Sequence, residues 1–256
     1  MVVAAGDDIS LPERTQRLVE AWLASGRVAK SIHSRASCID DLSQDLGFEH
    51  TGTIALENPT VEQFVRQDMW LLGATHAWDM EVFRRFGHLI RGVVHEDTVI
   101  PLRSLLIGGV SFVPLPLVRY RVRAGVSFAA QRSIARSLAE QTPTWALRGR
   151  YLTAVQMYCD SRRLVARHDC LDILKKRRSR DLVSYWFSRG GANSPARYRL
   201  FRRGATRWFV FREFLRYRVP VLSVYVARLG RISRSLIPFL GCRSAMERRS
   251  NQAGSR

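Results

Sequence analysis

Gly87-His88-Leu89-Ile90-Arg91-Gly92-Val93-Val94-His95-Glu96-Asp97 runs into Thr98-Val99-Ile100-Pro101-Leu102-Arg103-Ser104-Leu105-Leu106-Ile107-Gly108-Gly109, and then into the apolar stretch Val110 to Val122. A loop punctuated by glycines, an apolar helix over Thr98–Ile107, a Gly-Gly stop and a strand over Val110–Val122 read as one turn of an alternating α/β fold. Glu96 and Asp97 stand together at the helix start. There, backbone N–H groups and the positive end of the helix dipole favour the ionised carboxylate. An ionised carboxylate at the mouth of a cleft suits a general base, and the same position equally suits a plain helix cap.

Working outward towards the amino end, the same alternation continues. Arg27 to Ser37 reads as a strand, Cys38 to Phe48 as an acidic loop, and Asn58-Pro59-Thr60 as a helix start whose capping box is Thr60 and Gln63. Asp68 to Trp78 is expected to be mostly strand, with Asp79 capping a helix that ends at Gly87. Met1 to Ala5 reads as a short buried strand, followed directly by Gly6-Asp7-Asp8. Ser10 and Glu13 read as a second capping box, with Pro12 in the first turn, Leu11, Thr15, Leu18 and Trp22 on one face, and Gly26 as the stop. The acidic pair Asp7 and Asp8 follows a strand, where open α/β sheets collect ligands. Two carboxylates there suit Mg²⁺ or Mn²⁺ sharing its shell with a substrate diphosphate, and they equally suit a turn that bonds its own backbone.

Val2-Val3-Ala4-Ala5-Gly6-Asp7-Asp8-Ile9-Ser10-Leu11-Pro12-Glu13-Arg14 resembles the metal-binding segment of family 2 glycosyltransferases. Gly73-Ala74-Thr75-His76-Ala77-Trp78 with Phe83-Arg84-Arg85-Phe86-Gly87 is similar to the acceptor-side strand and helix of that family. His95-Glu96-Asp97 with Arg103 resembles its Glu-Asp catalytic signature, and Gly108 to Arg121 its closing strand. The resemblance covers Met1 to about Ser127. It implies a partial GT-A fold with a Rossmann-like mixed sheet, and transfer of a sugar with inversion from a nucleotide-diphosphate sugar to an acceptor hydroxyl. Asp97 would be the base, with Glu96 supporting its loop. Asp7 and Asp8 would hold Mg²⁺ or Mn²⁺, and His76, Trp78, Arg103, Arg121 and Arg123 would lie on the substrate side. Tyr120-Arg121-Val122-Arg123 departs from the family's Tyr-Arg-x-His, and a guanidinium binds phosphate but not a metal. Family members also carry a nucleotide-binding strand-helix-strand half before the metal segment. The domain is therefore expected to be N-terminally incomplete here and to bind nucleotide-sugar weakly or not at all by itself.

Charge divides the chain sharply. Residues 1–143 hold 15 Lys and Arg against 16 Asp and Glu, whereas residues 144–256 hold 26 against 6, which accounts for the net charge of +19. The expected organisation is a transferase-like portion over 1–128 and a basic, mostly helical extension over 129–256, with helices over Ala129–Glu140, Trp145–Ala166 and Cys170–Phe187, a linker at Gly190–Pro195, and disorder at the very end. From Phe201 to Arg218 arginines alternate with aromatic residues, which suits an anionic membrane surface or a solvated face packed on the core. No recognised nucleic-acid-binding motif accompanies them. Cys38, Cys159, Cys170 and Cys242 lack metal-ligand spacing and fit reduced thiols in the cytoplasm. No signal peptide and no uncharged apolar span of membrane length is legible. The combined expectation is a cytoplasmic enzyme, peripheral on the inner membrane face, acting on a saccharide or lipid-linked acceptor in polysaccharide or glycolipid synthesis. The rival from another class is a non-enzymatic membrane- or nucleic-acid-binding protein with a transferase remnant.

Overall fold

The computed structural model describes residues 1–54, 59–122, 142–164, 168–189 and 207–218. The elements in order are β1 (Ile9–Ser10), α1 (Arg14–Ala24), β2 (Ala29–Ile39), β3 (Asp45–His50), α2 (Val61–Arg66), a 3₁₀ turn (Gly73–Thr75) and β4 (Ala77–Trp78). They continue with α3 (Glu81–Phe86), α4 (Glu96–Ile107), β5 (Gly109–Arg121), α5 (Thr144–Arg163), α6 (His168–Ser188) and α7 (Arg207–Arg218). The fold is mixed α/β around a mixed sheet, as expected. The expected helix over Ala129–Glu140, the linker at Gly190–Pro195, Arg123 and the end of the chain lie outside the described residues.

The two long strands, β2 and β5, pair in parallel from Ala29↔Gly109 to Ile39↔Arg121. β1 lies antiparallel on the free side of β5, while the other side of β2 is shared by β4 near its start and β3 near its end. Both faces of this central pair are covered, as parallel strands require. Ile32 meets Leu18 of α1 on one face, and the adjacent Ser31 hydrogen-bonds Ser104 of α4 on the other at 2.7 Å. Behind α4, a larger core joins Phe64, Val65 and Leu71 to Val99, Leu102, Met157 and Leu174. Helices α5 and α6 of the basic half therefore share one core with α2 and α4, across the sequence boundary drawn at residue 128.

Local signals gave most helices their bounds. Thr60 and Gln63 form the reciprocal capping box that their spacing implies. The other predicted box does not form, because Ser10 lies in β1 and its hydroxyl accepts from Arg14 at 2.8 Å. Three further expectations are corrected. Met1–Ala5 is no buried strand: it lies along residues 76–78 through a few backbone bonds, with a lone bridge at Val2↔Ala77. The acidic segment Cys38–Phe48 is not a loop. Asp40 accepts the N–H groups of Leu42 and Gln44, the chain reverses, and β3 pairs with β2. Asp68–Trp78 is mostly not strand: the 3₁₀ turn at Gly73–Thr75 interrupts it, leaving Ala77 and Trp78 to pair with β2 and Leu71 a lone bridge to Gly52.

Candidate active site

The start of α4 lies at the carboxyl ends of the parallel pair. The helix ends at Gly108, which abuts the Val28 carbonyl just before β2, so its first turn points to the opposite edge of the sheet. Pro101 then shapes that first turn. It has no N–H to give the carbonyl four residues earlier, which leaves the Asp97 carbonyl free to accept the Leu71 N–H at 3.3 Å. Segment 71–75 is thereby drawn across the helix start. A Cβ at Gly73 would sit 3.7 Å from the Asp97 Cβ and 3.8 Å from Glu96 Oε1, so this backbone rests against both acids. Glu96 is exposed and Asp97 half-buried. Burial, then the charge of Glu96, lifts the Asp97 carboxyl from 3.8 to about 7, with the Thr98 hydroxyl acting weakly against it. The dipole at the helix start favours an ionised Asp97, and desolvation acts against it as the largest influence.

Asp7 and Asp8 follow Ala5, which packs against the cluster that holds Leu72 and Ala74. Asp8 Oδ1 accepts the backbone N–H of Arg121, the last residue of β5, at 2.8 Å, which fixes the acidic pair at the same sheet edge. Burial raises the Asp8 carboxyl, while that N–H and the Arg121 and Arg14 guanidiniums pull it down. Sequence reasoning missed Arg14. It is 2% exposed and donates to the Ala74 carbonyl at 2.8 Å and to Ser10. Its spacing from Leu11 and Leu18 on the apolar face was the available signal. Arg14 thus ties the start of α1 to Ala74, and the neighbouring Gly73 backbone rests against Asp97.

Other expected site residues have different places. Arg103 is fully buried: its Nε donates to Asp160 at 2.7 Å, its Nη1 to the Gly87 carbonyl at 2.9 Å, and its guanidinium packs over Phe83 and Phe86. Six residues on from Asp97 it lies about 120° around the helix and about 9 Å along it, so it pins α4 to α5 and cannot reach a ligand beside Asp97. The guanidinium of Arg121 is spent on the Asp7, Asp40 and Ser43 segments and ties the metal-like loop to the β2–β3 turn. His76 is 1% exposed, bonds Ser31 at 2.8 Å, and is held neutral by burial, aided by His33 and Arg14. Trp78 is half-buried and lines an apolar groove of about 400 Å³ with Val2, Trp22, Lys30 and Ile32.

Two adjacent carboxylates are a hard donor set, and they fit a Mg²⁺ or Mn²⁺ that keeps waters and diphosphate oxygens in its remaining positions. Among the described residues no third His, Cys, Asp or Glu joins them. No helix among the described residues is long and apolar enough to cross a membrane. No family model matches the chain, and no curated protein matches it.

Proposed function

We propose that this chain carries the acceptor-side and catalytic portion of an inverting sugar transferase of the family 2, GT-A type. The observation that carries the reading is the Asp97 carboxyl, lifted by burial to about 7 where segment 71–75 rests against it, with Asp8 held by the Arg121 N–H at the end of β5. A base works best when its pKa lies near the operating pH. Ionised Asp97 takes the proton of the acceptor hydroxyl as that oxygen attacks the anomeric carbon from the face opposite the leaving diphosphate, so configuration inverts. Glu96, exposed beside it, holds Asp97's pKa up. Asp8, steadied by Arg121, and Asp7 would hold the divalent metal, which supplies charge neutralisation of the diphosphate. Arg103, Arg121 and His76 act as structural supports of this edge. The setting that fits is synthesis of a polysaccharide or glycolipid at the cytoplasmic membrane face, with the basic half towards anionic lipid.

The test is release of nucleoside diphosphate from UDP-, GDP- and CDP-sugars with Mn²⁺ or Mg²⁺, at millimolar donor. Asp97→Asn should lower release by about 10²–10⁴-fold while leaving Mn²⁺-dependent nucleotide binding intact. Asp8→Ala should weaken that binding instead. Unchanged turnover in Asp97→Asn, or equal loss of binding in both variants, overturns the assignment.

A further inference from the structure

Four helices line a second cavity, of about 420 Å³. Its rim is cationic: Arg66 of α2, Arg150 of α5, Lys176, Arg177 and Arg180 of α6, and Arg212 of α7. Its floor is acidic. Asp181 is 9% exposed and Glu213 is 1% exposed.

The rim charges are only partly answered. Arg66 is held by Glu62 and Asp169, and Arg177 by Asp68. Arg150 reaches Asp181 only at 3.5 Å, and Arg212 reaches Glu213 Oε1 only at 3.6 Å. Arg180 and Arg212 lie over the Phe209 ring at 5.8 and 5.1 Å. Lys176, exposed, forms no ion pair among the described residues. The floor carries the more telling feature: Glu213 Oε2 is buried and meets no donor among the described residues. A buried acceptor left without a hydrogen bond costs on the order of 1–3 kcal/mol, so a donor is wanted at that point.

A bare anion would meet the rim but be repelled by the floor, and a metal ion would meet the reverse. A molecule with a phosphate at one end and hydroxyls at the other satisfies both. We propose that this cleft binds a phosphorylated polyol or sugar, with its phosphate on the arginine–lysine rim and its hydroxyls donating to Glu213 Oε2 and Asp181. The volume matches small-ligand sites and is too small for a nucleic-acid duplex. One helix that lines the cleft, α5, also packs against the loop before Asp97, where a Cβ on Gly149 would lie 2.5 Å from both Val94 methyls. The binding site does not depend on the transferase reading.

The test is calorimetric titration of the full chain with glucose 6-phosphate, glycerol 3-phosphate, inorganic phosphate and glucose. Glucose 6-phosphate should bind at least tenfold tighter than inorganic phosphate or glucose. Glu213→Gln keeps the shape but removes the acid. It should leave inorganic phosphate binding equal or tighter and lower the preference for glucose 6-phosphate about tenfold. Lys176→Gln, at an exposed position that does not threaten folding, should weaken both phosphates. Vesicles of phosphatidylcholine with phosphatidylinositol separate the sources of the ligand. Vesicle binding that free inositol 1-phosphate competes away supports the site with a lipid headgroup as occupant. Absence of vesicle binding beside glucose 6-phosphate binding supports it with a free sugar phosphate. Equal binding of inorganic phosphate and glucose 6-phosphate in both proteins, or no binding of either at millimolar concentration, overturns the proposal. So does tight binding of an oligonucleotide that Glu213→Gln leaves unchanged.

Discussion

Replacing Asp97 by Asn asks whether burial has tuned this carboxyl. In the folded chain it is lifted from 3.8 to about 7, first by burial and then by the Glu96 charge. The unfolded chain keeps the ordinary value. Between the two, the native state holds a proton that the unfolded state has lost, so stability falls as pH rises from about 4 to about 7. At 1.36 kcal/mol per pH unit, a lift of about three units corresponds to about 4 kcal/mol as an upper value. Asparagine keeps the shape and carries no charge at any pH. The variant and the native protein should therefore unfold at similar urea concentrations at pH 4. At pH 8 the variant should be more stable by about 2–4 kcal/mol, with a melting temperature higher by roughly 5–15 °C. Asp8 and Asp181 are also raised by burial, but they are common to both proteins and cancel in the difference. A variant no more stable than the native protein at pH 8 would show a solvated carboxyl and refute the argument for a tuned base.

Two other perturbations probe the supports of that edge. Asp160 accepts from Arg103 at 2.7 Å and from Gln156 at 3.0 and 3.1 Å, all of it buried. Asp160→Leu should cost about 3–5 kcal/mol by leaving a buried guanidinium unpaired, while Arg103→Met with Asp160→Leu should recover most of that; urea unfolding in which the double variant is the weaker of the two would contradict it. At Gly149 in α5 a Cβ would lie 2.5 Å from both methyls of Val94, in the loop that leads to Glu96 and Asp97. Gly149→Ala should therefore destabilise by about 1–3 kcal/mol despite alanine's better helix propensity, and should lower donor turnover. A rise in melting temperature would mean the loop yields freely.

Much of this protein is written in short-range pattern. Thr60 and Gln63 determine where α2 begins, and glycines with apolar periodicity mark α4, β5, α5 and α6, because caps and helix faces involve residues three or four apart. The same local reading located Glu96 and Asp97 at a helix start and set Asp7 and Asp8 apart as a pair. It went astray where the partner is distant. Met1–Ala5 is apolar but makes only a lone bridge to β4, whereas polar Asp45–His50 becomes a strand because β2 offers it an edge. Arg103 looked like a ligand until Asp160, fifty-seven positions later, folded onto it. The value of about 7 at Asp97 is likewise tertiary. Sequence supplies a carboxyl at a helix start, whose dipole favours ionisation, and only the burial created when segment 71–75 packs across it reverses that preference.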